Sequence, residues 1–357
     1  MPQAEPKSRL NLYQQAPIMP ELRQNPITKQ WVIIATERAR RPHELAKDLK
    51  LSKQLPSFSE RCPFCPGNEH LTPPESLRMD RDGRWQVRVT PNKFSALSRE
   101  GELGRKFNGL KCVVNGVGIH DVVIETPDHS KTTALLPEDD VALILSAYKQ
   151  RYFAITEDAR IEHVTIFKNH GVAAGTSLEH PHSQIIATPI IPPQIRMRME
   201  ESLRFYDMCG QCIFCRVLKD ELADRVRIVY ETAHFVSFIP FASLTPFSSW
   251  IFPRRHMASF GEIHPEEIQD MAQMLRVVLA KLYYGLGDPD YNYIVRTAPC
   301  EGRYLRYYHW YISLIPRLTK SAGFELGSGI YINPTIPEAN AEFLRGVEPF
   351  PASSVEK

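Results

Sequence analysis

The chain has 357 residues, with 43 lysines and arginines against 41 aspartates and glutamates and a net charge of +2. That balance offers no bulk attraction to nucleic acid or to an acidic membrane surface, and no apolar run approaches the ~20 residues of a membrane span. Hydrophobic residues at 43% and charged residues at 24% fit a globular protein of two domains, or of one domain made of two similar halves.

Residues 1–24 are polar and contain prolines but no apolar signal core, so they read as an N-terminal arm and the expected location is the cytoplasm. Trp31-Val-Ile-Ile-Ala35 reads as a strand, followed by the basic stretch Arg38-Ala-Arg40-Arg41-Pro42 and a polar loop over 43–60. Cys62-Pro-Phe-Cys65, followed by Pro66-Gly67, reads as a knuckle loop. Trp85–Val89 alternates as a strand does, 95–110 reads as a loop, and Asp121–Glu125 is a strand ending before Pro127. Pro137 opens a helix with acids in its first turn; Val141, Ile144, Leu145, Tyr148, Tyr152 and Ile155 recur at helical spacing. His163–Phe167 is the next strand, 169–177 a glycine-containing loop, and His180–Ile186 the strand after it.

The same order returns after a charged, helix-forming join between Pro189 and Gly210. Phe235–Ile239 and Ser249–Phe252 read as strands, Pro265 opens a helix, Tyr291–Val295 is a strand, and His309–Ile315 is the last one. Pro137 lies 43 residues before His180, and Pro265 lies 44 before His309. A repeat this long is not a solenoid period; it reads as two copies of one α+β unit.

Each copy carries one set of metal-binding residue types in one order. The first is Cys62, Cys65, His129 and His180; the second is Cys212, Cys215, His256 and His309. The last two histidines of each set are 51 and 53 residues apart. Zinc favours four tetrahedral sulfur and nitrogen ligands. A CxxC pair in a reducing compartment points to metal or redox chemistry rather than to a structural disulfide. Taken singly, His129 and His256 read more simply as loop or core histidines; the matched order in both halves reverses that reading.

Only the first copy has a second histidine, in His180-Pro-His182-Ser-Gln184. Alternation on a strand puts His180, His182 and Gln184 on one side, so one histidine can hold metal while the next meets a substrate. A neutral imidazole is a competent nucleophile toward phosphorus when its other nitrogen donates to a fixed acceptor. The loop just upstream, Asn169 to Ser177, is small, polar and glycine-containing, as a phosphate-binding loop must be. By itself such a loop is as often a simple turn, and a lone His-x-His as often a buried polar strand.

These residues resemble the galactose-1-phosphate uridylyltransferase family, within the histidine triad superfamily, from about Leu22 to Pro337. The carriers are Asn25 to Trp31, Arg38 to Pro42, the Cys62/Cys65 knuckle, Thr126-Pro-Asp-His129, Phe167-Lys-Asn169, Ser177 with His-Pro-His-Ser-Gln, and Gly323-Phe-Glu325. The second-half cysteines and Gly323 to Asn333 are similar also to a plant branch, the ADP-glucose phosphorylases. The resemblance implies two tandem histidine-triad-like units, each an antiparallel sheet with packed helices: residues 25–190 with the nucleophile and residues 191–340 as a structural, sugar-binding half. It implies two zinc sites on the eight ligands above, and a homodimer. It implies ping-pong transfer of a nucleotide between a nucleotide sugar and a hexose 1-phosphate, with His182 as nucleophile and Gln184 holding the transferred phosphoryl group. Arg38, Arg41 and Asn92 would bind the nucleotide, Asn169 and Ser177 the outer phosphate and sugar, and Gly323, Phe324 and Glu325 the sugar.

Two departures stand out. Lys93 replaces an acidic neighbour in the nucleotide site, which leaves uracil and adenine both open, and Tyr311 replaces the nucleophile in the second half. The leading expectation is uridylyl transfer from UDP-glucose to a hexose 1-phosphate. The alternatives are adenylyl transfer from ADP-glucose to phosphate and, in another class, a zinc-knuckle binding protein.

Overall fold

The computed structural model describes residues 19–35, 55–302 and 305–351. The elements follow in chain order. β1 (Glu21–Gln24) pairs with β2 (Trp31–Ile34), and β3 (Leu77–Arg81) with β4 (Arg84–Pro91). A small hairpin, β5 (Lys106–Asn108) and β6 (Lys111–Val113), occupies part of the stretch expected as a loop. β7 (Ile119–Ile124), α1 (Glu138–Thr156), β8 (His163–His170) and β9 (His182–Thr188) complete the first half. α2 (Pro193–Cys209) and α3 (Ile213–Asp224) form the join. β10 (Ile228–Glu231), β11 (Phe235–Phe238), β12 (Ser249–Pro253), α4 (Pro265–Leu286), β13 (Tyr291–Arg296) and β14 (Tyr311–Pro316) repeat the pattern. α5 (Gly323–Ser328), β15 (Tyr331–Asn333) and α6 (Pro337–Gly346) follow, so β14 is not the last strand. No described helix is long and apolar enough to cross a membrane.

The two units do not keep separate sheets. One ten-stranded sheet runs β10-β11-β12-β14-β13-β8-β9-β7-β4-β3. Its two five-strand halves have the same internal order and meet back to back at the antiparallel β8–β13 pair, from Tyr291↔His170 to Val295↔Ile166. Fusion at this seam leaves no exposed edge at the centre of the molecule.

The faces of this sheet differ. α1 and α4 lie on one face, where every apolar position expected for α1 is buried in a single core with Ile185, Ala187, Met271, Leu275 and Val278. Acids in the first turn of α1 and the Glu267 carboxylate accepting the His264 N–H favour the two helix starts, and Gly287 at φ 70° ends α4. The other face carries two smaller clusters. One surrounds Cys62, Cys65, Phe64 and Trp85; the other surrounds Cys212, Phe214, Phe252 and Tyr311. Cavities open between them.

The N-terminal boundary differs from the expectation. Residues 21–24 are strand rather than arm, and buried Arg23 donates to Glu338 at 2.9 Å. β2 pairs in parallel with β15 from the other end of the chain. Ile27 packs in the Cys212 cluster, and Val32 and Ile34 pack against Ala242. Residues 21–35 therefore dress the second half although they precede the first. Local patterning reveals a strand but not its distant partner.

A buried polar network stitches the seam. The Lys168 ammonium on β8 pairs with the Glu125 carboxylate, which also accepts from the Thr133 hydroxyl at 2.9 Å. The Tyr148 hydroxyl on α1 lies 3.3 Å from Glu125, 2.6 Å from Ser183 and 2.6 Å from the Tyr293 hydroxyl on β13. Burial alone would raise the Glu125 carboxyl; Lys168 and the hydrogen bonds outweigh it and hold the group below its ordinary range. A carboxyl so depressed stabilises the fold above its unfolded value and loses that contribution as pH falls through the folded one. Lys168→Met strands a buried charge and is expected to cost about 3–5 kcal/mol in urea unfolding. The double variant Glu125→Gln/Lys168→Met should recover part of that loss and unfold less steeply with acid.

Candidate active site and metal centres

The first knuckle brings Cys62, Cys65, His129 and His180 together although they span 118 residues of chain. All four are buried, and their ligand atoms lie within 4.8 Å of one another. Cys65 Sγ is 3.5 Å from His129 Nδ1 and 3.6 Å from His180 Nδ1, and the two Nδ1 atoms are 3.2 Å apart. A tetrahedral zinc with ordinary bond lengths requires about 3.4 Å between two nitrogens and about 3.6 Å between nitrogen and sulfur. The donor set and its spacing fit such an ion. Burial pushes the Cys62 thiol up to about 11, so a thiolate there needs a cation beside it. Burial also pushes the His180 imidazole down to about 4, which keeps it a neutral ligand. Its Nε2–H donates to the Thr126 carbonyl at 2.8 Å and so leaves the Nδ1 lone pair for metal.

The second set assembles less completely, with three of its four expected residues in one close group and His309 outside it. Cys212, Cys215 and His256 hold their ligand atoms within 4.8 Å of one another. His309 Nδ1 is 3.4 Å from Cys215 Sγ, and His256 Nδ1 is 3.2 Å from it. His256 Nε2–H donates to the Leu305 carbonyl at 3.2 Å. Here the CxxC opens helix α3 with Cys212 at its N-cap, whereas the first pair sits in turns.

The last histidine of each set precedes its strand. His180 stands two residues before the start of β9, and His309 two before the start of β14. Only His182 and Gln184 are therefore on the strand, on the knuckle side, opposite Ile124 and Val122. His182 is 7% exposed, and its ring sits edge-on to Phe64 with centroids 5.4 Å apart. Its Nδ1–H donates to the His180 carbonyl at 2.8 Å, so Nε2 carries the free lone pair. Burial holds this imidazole below its ordinary range, against the pull of the His180 carbonyl.

His182 lines a cavity of about 990 Å³ with Asn169, Gly171 and Asp290. Gly171 has φ 82°, and a Cβ there would fall 1.9 Å from Asp290 Oδ1. Only glycine lets the loop pass so close to that carboxylate. Asn169 Oδ1 accepts from Asn292 Nδ2 at 2.8 Å, and Asn292 Oδ1 accepts from Arg317 Nε at 2.6 Å. The second half thus orients a residue of the first, and Asn292 and Arg317 are site residues that the linear pattern did not reveal.

The remaining expected residues fall into three groups. Gln184 and Asn92 meet through His120, whose Nε2 is 2.8 Å from Gln184 Oε1 and 3.0 Å from Asn92 Nδ2. Nothing in the local sequence marks His120, because its role depends on the β7–β9 pairing. Ser177 is exposed between Thr176 and Leu178, which line the cavity. Gly323, Phe324 and Glu325 lie in α5 outside the cavity, where the Glu325 carboxylate caps the Ala322 N–H at 3.0 Å; Arg317, Thr319, Lys320 and Ser321 line it instead. Arg38 and Arg41 lie outside the described residues.

Each ligand set predicts its own metal equivalent. Cys65→Ser and Cys215→Ser should each lower the metal content by about one ion per chain, measured by plasma mass spectrometry on purified protein. Equal metal content in wild type and both variants would contradict the assignment.

Residues 12–192 match the family model described as galactose-1-phosphate uridyl transferase, N-terminal domain. The chain is 37% identical over 334 residues to an ADP-glucose phosphorylase of Arabidopsis thaliana, covering 92% of this chain and 93% of that protein. It is 30% identical over 340 residues to a galactose-1-phosphate uridylyltransferase of Thermotoga maritima, covering 92% and 99%. The crystal structure of an ADP-glucose phosphorylase from Arabidopsis thaliana with bound ADP-glucose superposes with a TM-score of 0.78 at 34% identity, over 92% of this chain and 99% of that one. This chain belongs to the galactose-1-phosphate uridyl transferase family.

Proposed function

We propose that this protein transfers a nucleotide from a nucleotide sugar to a phosphate acceptor through a covalent nucleotidyl group on His182. The observation that carries this reading is the imidazole geometry. Nδ1–H is fixed on the His180 carbonyl, and the free Nε2 faces a cavity large enough for a nucleotide sugar. In the first step Nε2 attacks the α-phosphorus, the N–P bond forms, and the bond to the bridging oxygen breaks. Hexose 1-phosphate leaves with that oxygen and its electron pair. In the second step an oxygen of the acceptor phosphate attacks the same phosphorus and returns neutral His182. Dividing one displacement into two lowers each barrier, and donors aimed at the phosphoryl oxygens offset their charge.

Gln184 serves as such a donor. Its carbonyl oxygen is engaged by His120, which leaves the amide N–H groups for the phosphoryl oxygens. Asn169, oriented by Asn292, takes the outer phosphate. Two zinc ions on the two Cys/His sets supply the structural clamps that hold the site. Arg38, Arg41 and Asn92 bind the nucleotide. Residues 25–190 are the nucleophile half, residues 191–340 the supporting half, and the active form is a homodimer.

For the base, we favour adenylyl transfer from ADP-glucose to phosphate over uridylyl transfer between UDP-glucose and a hexose 1-phosphate. The supporting observation is the higher identity to the Arabidopsis thaliana ADP-glucose phosphorylase. Lys93, exposed beside Asn92, is compatible with that choice.

Incubation with ADP-glucose should leave an AMP adduct on His182, visible by mass spectrometry, with one glucose 1-phosphate released per site. UDP-glucose should give the adduct more slowly. His182→Ala should abolish the adduct and lower turnover by about 10⁴-fold or more. Gln184→Ala should lower kcat by about 10²–10³-fold with little change in KM. Absence of an adduct from both nucleotide sugars would refute the mechanism.

A further inference from the structure

The second half holds a cavity of its own, of about 310 Å³, on the same face of the sheet as the His182 cavity. The strand registers show this directly. Gln184 lies opposite Phe167, Phe167 opposite Ile294, and Ile294 opposite Ser313 in one row across the seam. Ser313 lines the second cavity, and Tyr311, two residues after His309, stands where His182 stands after His180. The second cavity is thus the duplicated counterpart of the first. The segment Arg317, Thr319 and Ser321 walls both.

What it lacks is a nucleophile, and what it has is unbalanced positive charge. Arg198 of α2 and Arg296 of β13 both line it. Arg198 is 9% exposed; its Nε donates to the Tyr311 hydroxyl at 3.1 Å and its Nη1 to the Gln194 carbonyl at 2.8 Å. Arg296 Nη1 donates to Gln194 Oε1 at 3.1 Å, and its Nε is buried with no partner among the described residues. Among the described residues, every acceptor that these guanidiniums find is neutral. Burial and Arg198 push the Arg296 guanidinium down, the opposite of what a carboxylate neighbour does. Two other buried cations in this molecule have carboxylate partners, Lys168 with Glu125 and Arg227 with Glu221 and Glu338, whereas buried Lys281 is satisfied by three backbone carbonyls. A buried and a half-buried guanidinium side by side, with no carboxylate bonded to either among the described residues, are held at an electrostatic cost that a bound anion would relieve.

We propose that this cavity is a non-catalytic binding site for a phosphate group, either inorganic phosphate or the phosphate of a hexose monoester, held between Arg198 and Arg296. A guanidinium pair matches the tetrahedral oxygens of phosphate in number and geometry. The Asn25 and Gln30 side-chain amides also line the cavity, and each has N–H groups for a sugar hydroxyl. The ligand stays unmodified, because Tyr311 is buried and its hydroxyl is occupied by Arg198.

The test is calorimetric titration of the full-length, metal-loaded protein with inorganic phosphate and, separately, with glucose 1-phosphate. Wild type should bind glucose 1-phosphate at two sites per chain, and Arg296→Gln at one. The lost site should weaken by about 10- to 100-fold, and Arg296→Lys should regain part of it. Arg198→Gln, checked for a cooperative melt, should behave as Arg296→Gln does. Phosphate binding that depends on Arg296 while glucose 1-phosphate binding does not would mark the free anion as the ligand. A single wild-type site retained in Arg296→Gln would overturn this proposal and leave the His182 mechanism standing. A single site lost in Arg296→Gln would support it and count against substrate binding at His182.

Discussion

The rest of the site depends on one residue, His180, which acts in three directions. Its Nδ1 faces the cysteines and His129, its Nε2–H is held by the Thr126 carbonyl, and its own carbonyl receives Nδ1–H of His182. A metal that fixes the His180 ring therefore fixes the backbone that selects the tautomer of His182. A metal held there would need no contact with substrate to influence His182; it would act through the carbonyl that fixes the neighbouring ring.

Duplication explains why that arrangement is stable. Each half could bury only one face of a five-stranded sheet alone. Joined at β8–β13, they share one helix-covered core, while the opposite face keeps two separate clusters around the two Cys/His sets. The seam also lets one half serve the other. Asn292 of β13 orients Asn169 of β8, and Tyr293 closes the network that begins at Glu125. The two cavities then diverged by a few side chains. The first has His182 and Gln184 on its strand, and the second has Tyr311 and Ser313 with two arginines.

Much of this was legible in the residues. The helices behind Pro137 and Pro265 and all the apolar positions expected on α1 follow from period and capping alone. The two Cys/His sets stood out because the same order occurs twice, which no isolated histidine could have conveyed; the structure brings seven of the eight residues into close groups. His120, Asn292 and Arg317 were not legible. Each acts through a strand pairing or a side chain far away in sequence, and none belongs to a local motif. The position of residues 21–35 on the second half was hidden for the same reason: a short amphipathic strand looks alike wherever it docks.

The sequence by itself determined the local chemistry: which segments coil or extend, which thiols and imidazoles come in sets of four, and where a second histidine breaks the symmetry of the repeat. These are properties of neighbouring residues and of spacing. Only the tertiary structure decided that the two units fuse into one sheet, that His180 leaves its strand to face the metal side, and that Gln184, His120 and Asn92 form one chain of contacts. It alone decided that Arg198 and Arg296 share a cavity that has no carboxylate among its described lining residues. Each of these depends on register across strands and on what packs opposite, where hydrogen-bond pairing and burial choose among partners that the linear order leaves equivalent.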